Sequence, residues 1–72
     1  MSRPRSNDDI VQQTIALAGQ FYEAQGYRHR EGFRYWESPH PQEQLMWRLA
    51  CLAQIELTNT DPEEALQELE ED

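Results

Sequence analysis

Pro41-Gln42-Glu43-Gln44-Leu45-Met46-Trp47-Arg48-Leu49-Ala50-Cys51-Leu52-Ala53-Gln54-Ile55-Glu56-Leu57 is the stretch on which the fold turns. At about 100° per residue, Leu45, Met46, Leu49, Ala50, Leu52, Ala53 and Leu57 gather into one wide apolar stripe. Trp47, Cys51 and Ile55, spaced i, i+4, i+8, form a second stripe on the opposite side. The spacing predicts a helix that is apolar on nearly two faces, the kind that is covered by more than one neighbour. The wide stripe is the expected core face, with Leu45, Leu49 and Leu52 meeting Ile15 and Phe21 in one core. The narrow stripe has two readings: burial under a third helix or an aromatic loop, or a seam for a second copy or another protein.

Signals on either side bound this helix. Ser38-Pro39-His40-Pro41 opens it, with Ser38 or His40 as the boundary residue and both prolines suited to a first turn. Thr58-Asn59-Thr60 ends it. Upstream, Ser6 can cap a helix whose first turn carries Asp8 and Asp9, acids placed at the positive end of the helix dipole. That helix is expected to run to about residue 25. Val11, Ile15, Ala18 and Tyr22 recur along it at 4-3-4 spacing, flanked by Ile10, Leu17 and Phe21, and Gly26 is placed to end it in a left-handed conformation. Downstream, Asp61-Pro62-Glu63-Glu64 combines a capping acid, a proline at the first helical position and a glutamate three residues on. A short helix over 62–70 follows, with only Ala65, Leu66 and Leu69 to dock it. Nine residues do not hold a helix alone, so it must pack or fray. Residues 1–6 are expected to fray.

Residues 27–39 separate the two long helices. Four aromatics fall within Tyr27–Trp36, which argues against disorder. Arg30-Glu31-Gly32-Phe33 is a possible tight turn, but two isolated strands around it would be unstable in water. An ordered loop pinned by its rings is the expectation. The fold class is therefore all-α, a single domain with two longer antiparallel helices, an Arg/aromatic loop between them and a short acidic third helix.

Charge is distributed unevenly. Asp61, Glu63, Glu64, Glu68, Glu70, Glu71 and Asp72 lie within the last twelve residues with no base among them. The formal net charge of −8 is almost entirely theirs, because the rest of the chain balances its other acids with six arginines and no lysine. Arg28, Arg30 and Arg34 cluster beside Tyr27, His29, Phe33, Tyr35 and Trp36. Arginine planes among rings are the composition of binding hot spots and of single-strand nucleic-acid platforms. The alternative is that the rings close the end of a two-helix core while the arginines face water, and the two readings are compatible. The acidic end is a solubilising terminus, a segment that folds back on the arginines, or a mimic of nucleic-acid phosphate.

Chemistry finds little support. A metal site would draw on His29, His40 and Cys51, with Glu31 or Glu37, yet each candidate stands apart from the paired spacing of zinc ligands. Cys51 occupies a packing position, not that of an activated nucleophile. Gly19, Gly26 and Gly32 are too scattered for a phosphate loop, and Glu63-Glu64 lie on a solvated helix end. No cofactor and no enzymatic activity are expected. With one cysteine no internal disulfide forms, no apolar run approaches a membrane span, and no apolar segment follows Met1-Ser2-Arg3-Pro4-Arg5. The expected setting is cytoplasmic.

Ala18, Tyr22-Glu23-Ala24-Gln25-Gly26 and Trp36 resemble the pattern of a short bacterial helical family of unknown function. The resemblance covers under a third of the chain, breaks at Ser38-Pro39-His40-Pro41, and implies no activity.

The functional expectation is a small non-enzymatic interaction protein, regulatory or assembly-related, that binds a protein partner. The residues expected to carry that contact are Arg28, Arg30, Arg34, Tyr35 and Trp36 in the loop and Trp47 and Ile55 on the second helix. A homodimer across the second helix is one form of it. The runner-up is a nucleic-acid-associated protein whose arginines touch phosphate, or an acidic mimic that occupies a basic partner surface.

Overall fold

The computed structural model describes residues 6–71. Residues 1–5, where most of the frayed start was expected, lie outside the described part. Three α-helices appear in the order expected: α1 over Asn7–Ala24, α2 over Pro41–Thr58 and α3 over Pro62–Glu70, with a 3-10 turn over Tyr35–Glu37. There is no strand among the described residues.

Local chemistry accounts for the ends of each helix. Ser6 Oγ accepts from the Asp9 amide at 3.1 Å at the start of α1. Gly26 takes φ +94° just past its end, a region that costs a side chain dearly. Asn59 closes α2 in the left-handed region with φ 55°. Asp61 Oδ1 accepts from the Glu63 amide at 3.0 Å and starts α3 on Pro62. At the head of α2, His40 is the boundary residue, and its amide donates to Ser38 Oγ at 3.1 Å.

The core lies along α1, which packs on both α2 and α3; α2 and α3 touch each other far less. Ile10, Val11, Ile15 and Ala18 from α1 meet Met46, Trp47, Ala50 and Cys51 from α2 and Ala65 from α3. Phe21 and Leu17 pack at its margin. Gly19 is needed where the loop crosses α1, since a Cβ there would stand 2.6 Å from the His29 ring.

One expectation is corrected here. Leu45, Leu49 and Leu52 are not core residues; they are 45%, 38% and 54% exposed, and Leu57 is 79% exposed. The buried face of α2 is Glu43, Met46, Trp47, Ala50, Cys51 and Gln54. Trp47 and Cys51 therefore belong to the core and do not form an open seam with Ile55, which is exposed. The buried face lies about 100° round the helix from the centre of the expected stripe, so Met46 and Ala50 of that stripe are inside while its leucines are outside. The reason is hydrogen bonding. Buried Glu43 accepts from the Tyr22 hydroxyl at 2.8 Å and from the Ser38 hydroxyl. Buried Gln54 donates to Thr14 Oγ1 at 3.2 Å, and Thr14 in turn donates to the Ile10 carbonyl at 2.7 Å. A buried polar group is tolerated once it is paired, so a face carrying Glu and Gln can be the inner one. Ala50 and Cys51 complete that face within the apolar core.

Candidate functional site

The loop over 25–40 is held by its own rings. Phe33 and Tyr35 meet edge to face at 4.8 Å between centroids, and Tyr22 meets Tyr35 at 5.7 Å in the same manner. Tyr27 stacks on Tyr22 at 4.8 Å, and Trp36 lies against Trp47 at 4.6 Å. Each such pair adds to the area it buries. The Tyr35 hydroxyl and His29 Nδ1 share a hydrogen bond of 2.6 Å. The Arg30–Phe33 segment closes as a tight turn, with the Phe33 amide donating to the Arg30 carbonyl at 3.1 Å.

This lattice sorts the residues singled out in the sequence. Tyr35 is fully buried and Trp36 half-buried, so both shape the loop from inside. Arg28, Arg30 and Arg34 are exposed. Arg34 pairs with Glu37 at 3.3 Å, the one ion pair among the described residues, and Arg30 lies 4.7 Å over the Phe33 ring. The structure thus brings the three arginines to the loop surface while Trp47 lies beneath it.

Titration follows the same geometry. The hydrogen bond from Ser38, with the one from Tyr22, holds the Glu43 carboxyl below the usual glutamate range although burial opposes this. Donation to Glu43 raises Tyr22. Burial pushes Tyr35 up to about 12 and Cys51 up to about 12, the latter with help from Glu63 and Asp61. A thiol so placed is a packing group at neutral pH. Among the described residues no three His, Cys, Asp or Glu side chains gather at a metal-binding spacing. No helix among them is long and apolar enough to cross a membrane.

The surface that remains is the outer side of α2. Leu45, Leu49 and Leu52 recur there at 4-3 spacing, with Ile55 beside them; Leu57, exposed in the last turn, lies off that row. Next to it, α2 and α3 diverge from their common support on α1 and leave an open groove of about 920 Å³. One wall is Pro41, Gln44, Leu45 and Arg48; the other is Glu63, Leu66, Gln67 and Glu70; both repeat at i, i+3, i+4, i+7. Sequence reasoning missed both features as surfaces. It counted leucines as core. The overlooked signal was the pair of polar residues, Glu43 and Gln54, that share a helix face with Met46, Trp47, Ala50 and Cys51.

No protein-family model, no curated protein and no solved structure matches this chain. The likeness of residues 15–36 to a short helical family therefore assigns nothing further.

Proposed function

We propose that this chain acts by contact, as a small non-enzymatic interaction protein, regulatory or assembly-related, that holds a protein partner against the outer face of α2 with the arginine-bearing loop as its neighbour. A cytoplasmic setting is part of the proposal. The observation that carries the reading is the exposure of Leu45, Leu49, Leu52, Ile55 and Leu57 on one helix of an otherwise strongly polar chain. Single exposed leucines need no explanation, whereas an aligned apolar row on a small domain marks a binding face. A helix lying on another helix through an i, i+4, i+7 row is a common recognition mode. The buried, high-pKa Cys51 and the solvated Glu63 and Glu64 support a non-catalytic role.

The test compares the parent with Leu49→Gln/Leu52→Gln in sedimentation and in native affinity capture. The double variant should melt like the parent and lose either self-association or its captured protein. An unchanged sedimentation profile together with an unchanged captured set would refute the reading.

Nucleic-acid contact is the second reading, favoured by the exposure of Arg28, Arg30 and Arg34. The rings that a stacking platform would use are engaged internally, with Tyr35 fully buried and Tyr27 stacked on Tyr22. Only phosphate contact then remains, and it would show a steep loss of affinity with salt.

A further inference from the structure

The groove between α2 and α3 differs in character from the leucine row beside it. Its apolar lining is Trp36 and Trp47, with Leu45 and Leu66 from the two walls. Its rim is acidic: Asp61, Glu63, Glu64 and Glu70 all line it, against the one base Arg48. None of these carboxylates is in an ion pair among the described residues, where Arg34–Glu37 is the only pair. Asp61 is occupied with the Glu63 amide, but the carboxylates of Glu63, Glu64 and Glu70 make no hydrogen bond there either. Four acids against one base give the groove a net −3 in a chain whose formal charge is −8. Two such chains would repel one another if this face met its own copy.

We propose that this groove docks a basic amphipathic helix from another protein. The inference goes beyond the interaction reading above, since it concerns a second surface with a partner class of its own. Two walls that repeat at i, i+3, i+4, i+7 offer a cradle about 10 Å long, two helical turns, for a third helix laid between α2 and α3. Glu63 and Glu70 are seven residues apart, so the partner should present bases at i and i+7 on one edge. Between them, at i+3 or i+4, it should carry a leucine or aromatic that reaches the Trp36 ring. Acid on the rim steers such a helix and selects against acidic ones; the apolar lining holds it.

The probe is a fluorescein-labelled Leu/Lys amphipathic peptide of the same 18-residue length as α2. Its control is the same peptide with every Lys replaced by Glu. Binding is followed by anisotropy and by tryptophan fluorescence, in which the half-buried Trp36 is the ring an occupant would cover. The basic peptide should bind and shift the tryptophan emission, and the acidic one should not. Glu63→Lys/Glu70→Lys should weaken binding by about tenfold or more. Glu23→Lys/Glu31→Lys changes the net charge equally but lies away from the groove, and should stay within about twofold. Both double variants alter exposed residues, and circular dichroism checks that each is folded. Equal weakening by the two pairs, binding of the acidic peptide, or no binding of the basic one overturns the groove assignment. The leucine-row reading is judged apart from these, because Leu49 and Leu52 do not line the groove. If Leu49→Gln/Leu52→Gln still loses its captured protein while the groove variants behave like the parent, the interaction reading stands and the groove proposal falls.

Discussion

Replacing Glu43 by alanine tests which face of α2 is inward. The side chain is buried at 9% exposure, and both carboxylate oxygens accept hydrogen bonds, one from Tyr22 and one from Ser38. A hydrogen bond to a charged group is worth about 1.5–3 kcal/mol. The two share one carboxylate close to the surface, so they do not add in full, and solvent screening trims them further. Glu43→Ala should therefore cost about 2 kcal/mol, the lower part of that range. For a domain whose single core rarely supplies more than about 3–5 kcal/mol this is near half its stability. At roughly 4–8 °C per kcal/mol the midpoint should fall by about 8–16 °C. Leu52→Ala provides the contrast. At 54% exposure Leu52 loses little on truncation, and the change should stay within about 0.5 kcal/mol. Urea melts followed by far-UV circular dichroism on both variants give the comparison directly. A Leu52→Ala loss larger than that of Glu43→Ala would refute the orientation of α2 and restore the leucine face as the core.

Three further outcomes follow from the same contacts. The carboxyl of Glu43 is held below its ordinary value, so its contribution is present above about pH 4.3 and is lost as pH falls through the folded value; Glu43→Gln should flatten the acid limb of a stability–pH curve, and an unaltered limb would contradict this. Tyr35 and Cys51 are both raised to about 12, so the stability they contribute is complete below their unfolded values and drains as pH climbs toward that level; a thiol reagent at neutral pH should reach Cys51 at the rate of unfolding, and rapid labelling of the folded chain would show that Cys51 is not covered. Gly19→Ala gains about 1 kcal/mol of helix propensity yet drives a methyl into the His29 ring; a net loss of about 1–2 kcal/mol is expected, and a net gain in the melt would mean that the loop does not lie on α1.

The helices and their ends were legible in the sequence because the forces that set them are local. Ser6, Gly26, Asn59 and Asp61 act on backbone groups a few residues away, and the structure places each where that chemistry requires. Ordering of the loop was legible too, since four rings in ten residues have to pack on something. The candidate surface was legible only in part. Arg28, Arg30 and Arg34 could be read as outward-facing, and of the two readings of Trp47 the structure takes burial beside Trp36, but the leucines were misjudged as buried.

What the sequence by itself determined is three helices, their caps and a charge asymmetry, all properties of neighbours along the chain. What only the tertiary structure decided is which side of α2 faces inward. Periodicity could not choose, because α2 is apolar on both sides. The choice came from partners distant in sequence, Tyr22 meeting Glu43 across twenty-one residues and Thr14 meeting Gln54 across forty, with Ser38 adding a nearby bond to Glu43. Once those polar groups were paired, burying them cost little, and the leucines were left outside. The groove has the same origin, since α2 and α3 both lean on α1 and part from each other, with acid along the opening.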